Sequence, residues 1–259
     1  MSDETLSSRD THGAGASHLT LRPDPLVTGK RVLLALGLWL LAAGVIGTAT
    51  VFALRSSGAA AVTAIVVGEV YTLLIVALMI VFRPRTAQAL GLVRCRGADV
   101  GLAFAACGGA YLIAAAIQSA VGPWPWSSSI AILKAMGSDD GRLATAGPAV
   151  AGIIVIRACV LAAVGEEAFF RGVLYTWLRQ RLPASAAIPV SAAAHAAIHG
   201  FPAILPLAFI LGLGFGWVRE RSGSTVPTVI VHAVHNAALI AWSFYATGWT
   251  ARLPTWGGS

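Results

Sequence analysis

Apolar runs of about 20 residues, the length that crosses a bilayer as a helix, recur along the chain between short polar breaks. Val32 to Leu54 and Ala60 to Phe82 are the first two. The Ser56-Ser57-Gly58 turn between them is short enough to dictate an antiparallel hairpin. A third run, Val100 to Val121, stops at Gly122-Pro123-Trp124-Pro125-Trp126, where the prolines end the helix and the tryptophans suit the headgroup region. From Pro148 to Arg181 a helical pattern continues for roughly 34 residues, too many for one straight crossing. That helix is expected to tilt, to break near Gly165 or to leave the lipid at one end. Ala184 to His199, Ala203 to Val218 and Val226 to Thr247 complete the set, divided by Gly200-Phe201-Pro202 and by Arg219 to Gly223. The prediction is an all-α, polytopic transmembrane helical bundle of seven spans, or eight if the long helix splits. Gly212 and Gly216 form a G-x-x-x-G pair that lets a neighbouring helix approach closely.

Composition fixes the solvent. Hydrophobic residues make up 57% of the chain and charged ones 11%, against roughly half and a quarter in soluble domains. A water-soluble fold has too little polar surface to cover such a chain, so lipid is its natural surroundings. The net charge of +7 does not mark a nucleic-acid binder, because the basic residues fall singly or in pairs between apolar runs and build no continuous face. A seven-span count puts Arg22, Lys30, Arg31, the arginines from Arg83 to Arg96, Arg179, Arg181, Arg219 and Arg221 on one side. The other side receives only Arg55, Lys134, Arg142 and Arg252, which orients the N-terminus to the cytoplasm of a cell-membrane protein. Cys95, Cys107 and Cys159 lack C-x-x-C spacing and read as small buried hydrophobes. Residues 1–31 read as a flexible polar tail rather than a cleaved signal, 32–147 as N-terminal membrane helices, 148–247 as the chemistry-bearing membrane domain, and 248–259 as a short tail.

Ionisable groups inside lipid cost several kcal/mol unless paired or hydrated, so they mark function by default. Three groups cluster. In Glu166-Glu167-Ala-Phe-Phe-Arg171, Glu167 and Arg171 share a helical face and can pair, while Glu166 points about 100° away and stays free. His195 and His199 share a face four residues apart; His232 and Asn236 do the same, with His235 beside them. Glu166 and His199 each lie about 16 residues from the turn at Pro183, roughly 24 Å along their helices, so they can meet at one depth. His232 and Asn236 reach roughly 16 to 22 Å from the same side. Glu69 and Arg157 are the remaining intramembrane charges and are expected to pair with each other; Tyr71, Trp177 and Trp217 read as packing or lipid-facing residues.

The order E-E-x-x-x-R, then a histidine in an F-x-x-x-H pattern, His199, then H-x-x-x-N resembles the CPBP (Abi) family of intramembrane proteases, which includes the CAAX prenyl endopeptidases, over about Val150 to Ala246. The chain departs from the family at one place: the phenylalanine of the F-x-x-x-H pattern is His195 here. The resemblance implies a CAAX-protease-like core, a water held by Glu166 and His199, and an oxyanion hole from His232 and Asn236. Glu167, Arg171, His195 and His235 would support them. It also implies a hydrophobic or lipidated peptide substrate and no required cofactor. Zinc is the rival, held by Glu166, His199 and His232 as three ligands plus water, with His195 or His235 as a further candidate ligand, although no H-E-x-x-H is present. Two other classes stand beside the protease: a non-catalytic membrane immunity or partner protein with a relic site, and a small proton-coupled transporter.

Overall fold

The computed structural model describes residues 25–53, 59–121, 152, 155–199 and 205–246. Residues 1–24 of the expected N-terminal tail, the Trp124–Trp126 break and the C-terminal tail lie outside them, while Gly29 to Arg31, expected in the tail, already belong to the first helix. Every described element is helical, and the expected all-α bundle is what the chain forms. The helices are α1 (Gly29–Ala53), α2 (Ala59–Val81), the four-residue α3 (Thr86–Ala89), α4 (Gly97–Val121), a long α5 ending at Arg179, α6 (Ala184–Ala197), α7 (Leu205–Ser222) and α8 (Val226–Ala246). Helices α1 and α4 are long and apolar enough to cross a bilayer, while Gly68–Val81 and Val226–Trp242 are shorter apolar stretches. Leu33, Leu41, Phe52 and Leu112 are each at least two-thirds exposed, as expected where lipid rather than protein covers a helix.

Helix α5 does not break at Gly165. It runs as a π-helical turn Arg157–Ala162, an α-helical step Ala163–Glu167, a second π turn Ala168–Leu174 and a closing α turn Tyr175–Arg179. A π turn misaligns backbone groups that an α-helix would pair, and it recurs at functional sites. Here the neighbours take them up. Ser191 Oγ of α6 donates to the Phe170 carbonyl at 2.9 Å, and Arg219 Nε of α7 donates to the Arg171 carbonyl at 3.2 Å. Gly165 instead receives α2, with Tyr71 and Leu74 against its Cα face.

The two glycines of the G-x-x-x-G pair do admit a neighbour. A Cβ on Gly212 would stand 2.9 Å from Ala192 Cβ, and one on Gly216 would stand 3.0 Å from Ile188 Cγ2, so α6 and α7 meet almost backbone to backbone. The apolar core joins α1, α2 and α5 through Val32, Leu74, Leu78, Phe82, Phe169 and Phe170. Trp39 Nε1 adds a 2.9 Å bond to the Val70 carbonyl across the α1–α2 hairpin.

A short strap, Leu90 to Val93, lies under α5 and the start of α8. Thr225 Oγ1 donates to the Leu90 carbonyl at 2.8 Å, Thr225 N to the Gly91 carbonyl at 2.8 Å, and Ser224 Oγ to the Val93 carbonyl at 2.7 Å. Gly91 adopts φ 68°, open to glycine without strain. Gly172 is required opposite, because a Cβ there would lie 2.5 Å from the Leu90 carbonyl oxygen.

Candidate active site

The α-helical step between the two π turns presents Glu166 and Glu167 to the interior, where they are 4% and 0% exposed. Bare carboxylates at such burial are prohibitive without partners. Each has them, and they differ. Glu166 Oε1 accepts the hydroxyl of Tyr71 from α2, and its Oε2 accepts Nε2–H of His195 from α6 at 3.0 Å. Glu167 Oε1 accepts Arg171 Nη1 at 2.9 Å and Nδ1–H of His232 from α8 at 2.9 Å. The i, i+4 ion pair expected from spacing therefore forms, and a histidine from another helix joins it.

His199 lies at the depth of Glu166. Its Nδ1–H donates to the His195 carbonyl at 3.0 Å, which leaves Nε2 with a free lone pair. The His195 and His199 rings meet edge to face with centroids 5.1 Å apart, and Phe170 packs on the other side of His195 at 5.1 Å. His232 Nε2 stands 4.0 Å from Glu166 Oε2, so this ring bridges the two carboxylates. Asn236 follows one turn later on α8, half-buried.

Three readings from the sequence change. His235 turns from the carboxylates toward α4, where its Nδ1 is 3.2 Å from Tyr111 Oη and 4.0 Å from Cys107 Sγ. Tyr71, which reads in the sequence as a packing residue, is a direct partner of Glu166. Nothing local marks it: it belongs to no motif, and only the fold brings it about 95 residues along the chain to the carboxylate. Glu69 accepts Thr50 Oγ1 at 2.7 Å, and the ion pairs among the described residues do not include one between Glu69 and Arg157. The thiols of Cys95, Cys107 and Cys159 are free.

The residues that converge as a metal-type donor set are Glu166, His195 and His199, whose ligand atoms all lie within 4.8 Å of one another. This differs from the three ligands expected from sequence in having His195 where His232 was placed: His195 Nε2 lies 3.0 Å from Glu166 Oε2, against 4.0 Å for His232 Nε2. Chemically the site offers an oriented carboxylate, an imidazole lone pair beside it, and a second imidazole aimed at the same space.

No curated protein and no solved structure matches the chain. A family model described as "Type II CAAX prenyl endopeptidase Rce1-like" matches residues 148–238, a stretch that ends just beyond Asn236. Glu166, Glu167, Arg171, His195, His199, His232 and Asn236 all fall within it, and Tyr71 does not. Residues 148–238 therefore match the Rce1-like type II CAAX prenyl endopeptidase family, and the chain has the helical membrane fold of that family.

Proposed function

We propose that this chain is an intramembrane endopeptidase in which Glu166 activates the hydrolytic water without an obligatory metal. The observation that carries this reading is the holding of the Glu166 carboxylate by Tyr71 and His195 from two other helices, with the His199 lone pair next to it. Such holding pre-orients a base, and it leaves lone pairs on both carboxylate oxygens for a water.

Water bound between Glu166 and His199 gives its proton to Glu166 as its oxygen attacks the peptide carbonyl carbon. The carbonyl oxygen becomes an oxyanion that needs donors. His232 donates Nδ1–H to Glu167, so it can donate from Nε2 as well only as an imidazolium. Glu167 supplies the negative partner for that charge, and Arg171 anchors Glu167. The Asn236 amide is the second donor. When the intermediate collapses, Glu166 passes its proton to the leaving amine, returning to the carboxylate.

The substrate in this reading is a peptide or protein with a hydrophobic or lipidated segment near the membrane surface. The chain crosses the membrane seven times with its N-terminus in the cytoplasm, as the arginine distribution supports. Cleavage of a hydrophobic peptide library by purified, detergent-solubilised protein tests the proposal. Glu166→Ala and His199→Ala, folded as judged by gel filtration, should lose about 10²–10⁴-fold in rate. Undiminished cleavage by Glu166→Ala would refute it, and loss of wild-type cleavage in a zinc chelator would transfer the chemistry to a metal.

A further inference from the structure

Arg157 opens the first π turn of α5, nine residues before Glu166. Among the described residues no hydrogen bond or ion pair reaches its guanidinium. The stem lies on α2, with Cγ 3.8 Å from where a Cβ on Gly68 would stand. Gly68 is nine residues from one end of α2 and 13 from the other, so it is roughly 13 Å or more from either. The neighbouring Glu69 would be a ready partner, yet it accepts Thr50 Oγ1 of α1 instead. Arg157 does come close enough to the Tyr71 hydroxyl to interact with it electrostatically, and that hydroxyl donates to Glu166 Oε1. Tyr71 thus connects the cation to the carboxylate of the site.

A cation in the apolar middle of a bundle is costly without a counter-charge. The other arginines near the site meet that cost within the protein: Arg171 and Arg219, 1% and 3% exposed, donate to Glu167 and to the Arg171 carbonyl. Arg157 is only half-buried, so its fork of five N–H donors stays reachable, and that fork matches a carboxylate bidentately. The spacing then sets where such a carboxylate would sit. Nine residues of helix amount to about 13 Å, and an extended peptide advances about 3.3–3.6 Å per residue. A peptide running along α5 from a scissile carbonyl at Glu166 therefore brings its third or fourth following residue to Arg157.

We propose that Arg157 is a specificity residue that anchors a carboxylate of the substrate three or four residues beyond the scissile bond. The carboxylate is either the α-carboxylate of a chain end or the side chain of an Asp or Glu. The inference rests on Glu166 acting as the base of a peptidase. Arg157 then measures the distance from a negative charge to the bond that is cut.

The test uses the full-length protein in detergent and hydrophobic peptides in three matched forms: a free C-terminal acid, its amide, and the amide with one internal Asp. Cut positions read by mass spectrometry should fall three or four residues before the carboxylate. Charged forms should exceed the plain amide about 10–100-fold in kcat/KM, chiefly through KM. Preference for the free acid identifies an α-carboxylate, and preference for the internal Asp identifies a side chain. Arg157→Gln should erase the difference between forms and scatter the cuts, and Arg157→Lys should keep part of both. Arg181→Gln, which removes a charge lying over Trp177, should keep them in full. Equal cleavage of all forms by wild type, or a preference that persists in Arg157→Gln, would overturn the anchor; the wild-type comparison decides even if the variants misfold. Fluorescence anisotropy of the labelled peptides on wild type and on Glu166→Gln reads binding without turnover. A protein that binds the charged forms 10–100-fold more tightly through Arg157 but cleaves nothing would fail the protease reading and uphold the anchor. One that cleaves but binds all forms alike would do the reverse, and one that neither binds nor cleaves would overturn both.

Discussion

Glu166 and Glu167 are neighbours in the chain, yet one is held by neutral donors and the other by a guanidinium. Arg171 and Glu167 are 1% and 0% exposed, so each is the other's main compensation. Removing one partner of such a pair costs about 3–5 kcal/mol, because the survivor stays charged and buried. Glu167→Gln should therefore lower the thermal unfolding midpoint in detergent sharply, and Glu167→Gln with Arg171→Met should recover much of the loss. Tyr71→Phe removes one hydrogen bond to a charged group, about 1.5–3 kcal/mol in scale. Cleavage should drop roughly 10–100-fold with little change in folding, as kcat against unfolding midpoint would show. The acidic, basic and histidine members of the site were legible because lipid makes any polar side chain conspicuous. Tyr71 was not, since a tyrosine in an apolar helix is unremarkable until its hydroxyl has an address.

Among the helices, the spans could be read directly, for a bilayer demands about 20 apolar residues whatever their order. The π turns of α5 could not. Their carbonyls are taken by Ser191 and Arg219, residues on two other helices, and no signal in Ala168 to Leu174 announces those partners. A break near Gly165, one of the three ways in which the long helix was expected to fit, does not occur for a related reason: that glycine makes room for α2 rather than ending a helix. The α6–α7 contact offers a test at this scale. In Gly212→Val the new side chain meets Ala192 and crowds Arg171 Nη2, which lies 3.4 Å from the Cβ position. Overpacking of about 1–3 kcal/mol is expected, visible as a lower unfolding midpoint, with cleavage reduced further than Gly214→Ala, which faces α4 at a looser 3.2 Å.

Across the whole molecule, α5 and α7 are locked beyond the last apolar position of the latter by Glu220. Its carboxylate accepts Tyr175 Oη at 2.6 Å and Arg179 Nη2 at 2.9 Å. Burial opposes ionisation there, but the bonds from Arg179 and Tyr175 prevail and hold the Glu220 carboxyl below the usual carboxylate range. A carboxyl lowered in the folded state contributes stability that is present above its unfolded value and lost as pH falls through the folded one. The difference in unfolding midpoint between wild type and Glu220→Gln should thus be full near neutrality and shrink below about pH 4.3. Topology can be tested separately: cysteines introduced near the N-terminus and in the Arg83 to Arg96 segment should react with an impermeant reagent from the same side of the membrane.

The strap at Leu90 to Val93 bears on how such a protein can be cut and recombined. The stretch that matches the protease family begins at residue 148, but the peptide groups that seat Gly172 and open α8 belong to residues 90–93. A fragment starting at 148 would carry every motif and still lack its floor and the tyrosine that bonds Glu166. The inheritable unit is therefore larger than the recognisable one. A chimaera that grafts this domain onto foreign leading helices should work only if a Leu-Gly strap and a tyrosine at the depth of Tyr71 travel with it.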